Sequence, residues 1–250
     1  MMLLKDKVAV VYGAGGSVGG AAARAFAGEG ARVFLAGRTE APLDKLAEGI
    51  RAAGGAAETA VVDALDETAV NAFVDDVAAR AGRIDVSFNA IGYGDVQKPL
   101  MEISVADFLQ PIATAMRSQF LTTRAAARHM TARGTGVILA FGGGGPQTLP
   151  GLGGFKVALD ALEGLRRQWA VELGPHGIRV VTLKSGGVPE SLPDGFPGRE
   201  AISDSLVGAT QLGRAATLAD VGDVAAFVAS DQARTLTATD VNISCGAIVD

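Results

Sequence analysis

The chain has 250 residues, 48% of them apolar and 5% aromatic, with a net charge of −5. That acidic balance, with no basic run, excludes a general affinity for nucleic acid, and the lone Cys245 excludes an internal disulfide and fits a reducing compartment. No uninterrupted apolar stretch of about 18 residues occurs, so no membrane partner is expected and the protein reads as cytoplasmic.

Short apolar runs and helical patterns alternate along the chain. Lys7–Tyr12 reads as a first strand rather than a secretory leader, because it runs straight into a glycine loop. Ser17–Gly28 then reads as a helix, Ala31–Ala36 as a strand, Pro42–Ala53 as a helix and Glu58–Val62 as a strand. Helix Glu67–Ala81, strand Ile84–Asn89 and a long helix Ser104–Ala132 follow, with Pro111 either held in the first turns or marking a kink. Strand Gly136–Phe141, helix Phe155–Leu173, strand Arg179–Lys184, helix Leu218–Ala229 and strand Asp240–Ser244 complete the series. This rhythm predicts an α/β fold, a Rossmann-type doubly wound parallel sheet with helices on both faces, in a single domain. Gly186–Leu212 breaks it with three prolines and five glycines, and reads as a flexible lid over a ligand crevice.

Tyr12-Gly13-Ala14-Gly15-Gly16-Ser17-Val18-Gly19-Gly20 joins the first strand to the first helix. There it offers close backbone approach and a helix N-terminus for a pyrophosphate, or simply a tight strand–helix turn. The second strand ends at Arg38, where an NAD-selective site would place a carboxylate for the ribose hydroxyls. An arginine there suits a 2′-phosphate, which favours NADP(H) over NAD(H); the plain alternative is a solvated arginine. Asp63 and Ala64 follow the third strand, the carboxylate reading either as an adenine contact or as a turn residue. Asn89, Ala90 and Gly92 close the fourth.

These motifs resemble the short-chain dehydrogenase/reductases, as do Gly174–Val180, Leu212-Gly213-Arg214 and Asp240–Gly246, so the likeness spans nearly the whole chain. The resemblance implies an NAD(P)(H)-dependent oxidoreductase acting on a small carbonyl or alcohol, built as a homodimer or homotetramer. It also adds Gly186 and Val188 to the cofactor contacts. That family's active site carries Asn, Ser, Tyr and Lys, the last two spaced Tyr-x-x-x-Lys. Alignment through Phe120–Arg124 and Asp160–Leu165 puts Ala115, Gly142, Phe155 and Leu159 at those positions, so all four polar groups are expected to be missing. A slip onto Lys156 breaks the helix register, and a wider Tyr–Lys spacing falls on Leu152 and Leu159. The likeness further implies that Gly142→Ser, Phe155→Tyr and Leu159→Lys would be tolerated by the fold.

Tyr93, after the fourth strand, and Lys184, ending the sixth, are the candidate substitutes, each with a plainer reading as a surface phenol or a snorkelling lysine. His129 and His176 lie away from the sheet's ligand edge, and no cluster has metal-ligand spacing. Three functions stay open: a redox enzyme with a rearranged proton donor, a non-catalytic NADP(H)-binding sensor or partner subunit, and a non-redox enzyme reusing the crevice.

Overall fold

The computed structural model describes residues 2–146 and 148–249. Its elements run β1 (Val8–Tyr12), α1 (Ser17–Gly28), β2 (Arg32–Gly37), α2 (Glu40–Ala52), β3 (Ala56–Val61), α3 (Glu67–Ala81) and β4 (Val86–Asn89). They continue with α4 (Val105–Arg133), β5 (Gly136–Phe141), α5 (Gly153–Leu173), β6 (Ile178–Lys184), α6 (Arg199–Gly208), α7 (Leu218–Ala229) and β7 (Thr239–Asn242). All seven strands are parallel, in the order β3-β2-β1-β4-β5-β6-β7.

The strands are apolar on both faces because both faces are covered. Ala9, Val11, Leu35 and Phe88 pack with α1, α2 and α7 on one side. Their neighbours Val8, Val10, Phe34 and Ile138 pack with α3, α4 and α5 on the other. Strand period thus sorts alternate residues into two cores. The sheet runs outward in opposite directions from β1 and β4, and the crevice between their C-terminal ends is the topological switch point at which such sheets bind ligands.

Element boundaries move by at most two residues from the sequence expectation. Helix α2 begins at Glu40 because Pro42 fits the first turn, where no backbone donor is needed. Pro111 sits buried in the second turn of α4. The larger correction falls in Gly186–Leu212, which contains a short turn of 3-10 helix at Pro189–Ser191 and the ten-residue helix α6. None of the residues in α6 is buried, and its apolar residues Ala201, Ile202, Leu206 and Val207 span less than two turns, too short a stripe to mark a helix.

Candidate active site

At the switch point a crevice of about 420 Å3 opens between the β1–α1 loop, the ends of β2 and β3, and the segment after β4. Gly13 takes a positive φ of 72°, and a Cβ on it would stand 2.7 Å from the Ala90 carbonyl oxygen. Only glycine lets the loops after β1 and β4 meet so closely. Gly15 and Gly16 form the adjoining wall. No side chain caps α1 at Gly16, so the amides of its first turn, at Ser17, Val18 and Gly19, leave a positive helix end beside the crevice. Ser17 is exposed and Val18 half-buried there; Gly19 is buried against the Gly13 carbonyl.

Arg38 is exposed on the crevice wall with Gly37 and Thr39, and makes no ion pair among the described residues. Asp63 and Ala64 line the opposite wall. One Asp63 carboxylate oxygen accepts from the Leu65 amide at 2.9 Å, the turn geometry foreseen as its plainer role. Ala90 and Gly92 line the floor, whereas Asn89 lies beneath it. Asn89 donates to Thr122 Oγ1 at 3.1 Å and accepts from the Ile91 amide at 3.1 Å, fastening β4 and its outgoing turn to α4. Gly186 and Val188 lie past β6, outside this lining; Gly186 packs against Ala247 and Val188 is buried.

The crevice ends at Tyr93, which is 5% exposed. Gln110 of α4 donates to the Tyr93 carbonyl at 2.9 Å and to Thr114 Oγ1 at 3.1 Å, and both residues line the crevice. Sequence reading missed this pair; its one signal is two polar residues four apart on one face of α4. Tyr93 packs with Ala115, Ala158, Phe155 and Leu159. A Cβ on Gly142 would stand 3.1 Å from Leu159 Cδ2 and 3.5 Å from the Tyr93 hydroxyl. Ala115, Gly142, Phe155 and Leu159 therefore converge on one spot with Tyr93, and none of the four offers a polar side chain. Burial pushes the Tyr93 phenol up to about 12, with Gln119 drawing it partly back.

Two expectations change here. Gly142 has φ of 120°, a region that side-chain-bearing residues rarely adopt, so a serine there would be strained rather than tolerated. Lys184 is 3% exposed, is ion-paired to Asp240 of β7 and does not line the crevice. His129 pairs with Asp75 at 2.7 Å and His176 is exposed in the turn before β6, both remote from the crevice. Among the described residues, no three His, Cys, Asp or Glu side chains gather as a metal ion would need, and no helix is long and apolar enough to cross a membrane.

Residues 13–247 match the family model described as enoyl-(acyl carrier protein) reductase. The chain is 31% identical to meso-2,3-butanediol dehydrogenase of Serratia marcescens, over 98% of this chain and 96% of that one. It is equally similar, with the same coverage, to the A-factor type gamma-butyrolactone 1'-reductase (1S-forming) of Streptomyces virginiae. Among solved structures, a dehydrogenase/reductase from Sinorhizobium meliloti 1021 superposes with a TM-score of 0.87 at 27% identity, covering 98% of this chain and 96% of that one. NAD+-bound xylitol dehydrogenase does so with a TM-score of 0.87 at 25% identity, covering 97% and 99%. With its glycine loop at the switch point of a seven-stranded parallel sheet, and this likeness over almost its full length, the chain belongs to the short-chain dehydrogenase/reductase superfamily.

Proposed function

We propose that the protein is an NADP(H)-dependent oxidoreductase acting on a small carbonyl/alcohol pair, with Tyr93 as its proton donor. The observation that carries this reading is the Tyr93 hydroxyl, 3.5 Å from where a Cβ on Gly142 would stand. A hydroxyl thus stands at the buried end of the crevice beside the position where the family resemblance would put a serine, delivered from the neighbouring strand end.

The residues present fit a dinucleotide. The uncapped end of α1 would hold the pyrophosphate, Gly13, Gly15 and Gly16 would let it approach the backbone, and Arg38 would hold the 2′-phosphate. A bound nicotinamide supplies the hydride. Tyr93 then gives its proton to the substrate oxygen as negative charge develops there. Gln110 holds the Tyr93 main chain, and Phe155 and Leu159 shield the reacting centre from water. A homodimer or homotetramer in the reducing cytoplasm completes the proposal, burying Phe120 of α4 and Val157 and Val171 of α5, which a monomer leaves 42–74% exposed.

A second reading draws on the apolar character of Ala115, Phe155 and Leu159: a protein that binds NADP(H) as a sensor or partner subunit without turning it over. Calorimetric titration with NADPH and NADH, followed by NADPH consumption over a panel of aldehydes and ketones for wild type and Tyr93→Phe, separates the two. Turnover lost in Tyr93→Phe supports the enzyme. Tight NADPH binding with silence across the panel supports the sensor, and no binding of either nucleotide overturns both.

A further inference from the structure

Apart from the crevice, a second, much smaller chamber of about 10 Å3 lies between α4, α5, β5 and β6. An interior cavity of this measure takes about one water molecule. Most of its wall is apolar, but Gln119, Arg166 and Thr182 also face it. Gln119 and Thr182 are each 1% exposed and Arg166 7%. Gln119 Nε2, Thr182 Oγ1 and Arg166 Nη1 have no hydrogen-bond partner among the described residues. The guanidinium is fixed, since its Nε and Nη2 donate to Glu163 Oε2 at 2.8 and 2.6 Å, leaving Nη1 as the unused edge. Buried polar atoms are rarely left so, because nothing replaces the water they lose on folding. Three of them on one water-sized cavity meet the needs of a buried water, which makes about three bonds.

The Tyr93 hydroxyl is buried and unpartnered among the described residues. Gln119 stands one turn beyond Ala115, which packs on Tyr93, along the same face of α4, near enough to oppose the upward push of burial on the phenol. The two groups stand close without the geometry of a formed bond. A carboxamide Nε2 carries two hydrogens, so one amide can serve both sides.

We propose that the chamber is the site of one fixed water that accepts from Gln119 Nε2 and Arg166 Nη1 and donates to Thr182 Oγ1, and that this water makes Gln119 a positioning residue for Tyr93. With one amide hydrogen on the water, the other is held on the Tyr93 oxygen. The phenol's own proton is then left for the substrate, and the phenolate formed by its departure is stabilised by the amide. The catalytic consequence rests on Tyr93 as proton donor; the water and the Gln119–Tyr93 bond do not.

The chain has two tyrosines, Tyr12 and Tyr93, so 13Cζ-tyrosine labelling gives two resonances, and Tyr12→Phe assigns them. A crystal structure of the wild type should hold a water peak within hydrogen-bond distance of Gln119, Arg166 and Thr182. Thr182→Val, which keeps the shape and removes the acceptor, should lose the peak and displace the Tyr93 resonance without contacting Tyr93. Gln119→Met should displace it further, whereas Ile138→Val, an apolar change in the same wall, should leave it in place. A dry chamber, a Tyr93 resonance unmoved by Thr182→Val, or an equal displacement from Ile138→Val would overturn the proposal. With a substrate in hand, Gln119→Met should lower kcat with KM unchanged. Normal turnover by Tyr93→Phe would refute the proton donor while leaving the water and the resonance shifts intact, so the two failures read out separately.

Discussion

The rings of Tyr93 and Phe155 stand 6.2 Å apart, inclined at 51°, so a phenol at the end of β4 leans on a ring of α5 that has no hydroxyl. Under the proposed function, the superfamily fold is kept while Tyr93 serves as the acidic group from the β4 wall of the crevice. Tyr93→Phe should therefore cut carbonyl reduction by about 10²–10⁴, the usual contribution of a positioned acid, with NADPH affinity unchanged by calorimetry. Because burial holds the phenol up to about 12, its protonated form dominates through the neutral range. Reduction, which consumes the proton, should be flat between about pH 6 and 10 as far as this group is concerned, while alcohol oxidation, which needs the phenolate, should rise about tenfold per pH unit. A pH–rate profile in both directions decides; reduction falling away through neutral pH in wild type but not in Tyr93→Phe would refute the assignment.

Arg38 stands on the crevice wall with no carboxylate paired to it among the described residues, so its charge is available to a ligand. A charge-assisted contact to a 2′-phosphate contributes about 1.5–3 kcal/mol, or roughly a 10- to 150-fold preference. Arg38→Ala should reduce the NADPH-to-NADH affinity ratio by that factor, almost entirely through weaker NADPH binding. An unchanged ratio in paired titrations would show that the 2′-phosphate lies elsewhere.

Gly142→Ser would return a hydroxyl to the converging cluster, yet the backbone opposes it. A residue with a Cβ held at φ of 120° carries strain of about 1–3 kcal/mol, and the added carbon also crowds Leu159 Cδ2 at 3.1 Å. A fall in Tm of about 2–4 °C per kcal/mol is expected from thermal melts. Adding Leu159→Ala removes the crowding but not the dihedral strain, so the double variant should not recover wild-type stability. If Gly142→Ser melts with the wild type, the loop adopts an ordinary conformation in solution.

Much of this architecture is written locally. Alternating Val8, Ala9, Val10 and Val11 set two faces of a strand, and helices α1, α3 and α7 end where the sequence pattern ends. The glycine loop was legible because close backbone contact leaves a compositional mark: Gly13 against Ala90 admits no other residue. Helix α6 left only a faint mark, since a short helix with no buried residue needs little apolar stripe. Partnership was the least legible property. The sequence places Asn89 and Lys184 at strand ends facing a ligand edge, but their side chains bond to Thr122 and the Ile91 amide in one case and pair with Asp240 in the other. Such pairings join residues 33 and 56 positions apart, a distance over which neither periodicity nor spacing carries information.

The Lys184–Asp240 pair gives the last test. Lys184 is 3% exposed on β6, and Asp240 is on the adjoining β7. Burial raises the Asp240 pKa, but the Lys184 hydrogen bond and charge, with Arg166 behind them, outweigh it and hold the carboxyl below its ordinary range. A carboxylate with a depressed folded pKa stabilises the protein above the unfolded value, near about 3.9, and loses that contribution as pH falls through the folded one. The pair should therefore stabilise the fold at neutral pH and add to the loss of stability in the acid window below about pH 4. Lys184→Met strands a half-buried carboxylate and should cost about 1–3 kcal/mol at pH 7, less than for a fully buried pair because solvent reaches Asp240. The accompanying Asp240→Asn change should recover much of that loss, since the double variant leaves no unpaired charge. Because Lys184 does not line the crevice, NADPH affinity of whatever fraction folds should match the wild type. Urea titrations at pH 7 and pH 4 check the first two expectations and calorimetry the third. A Lys184→Met protein that is fully stable yet has lost NADPH binding or turnover would place the lysine in the active site after all.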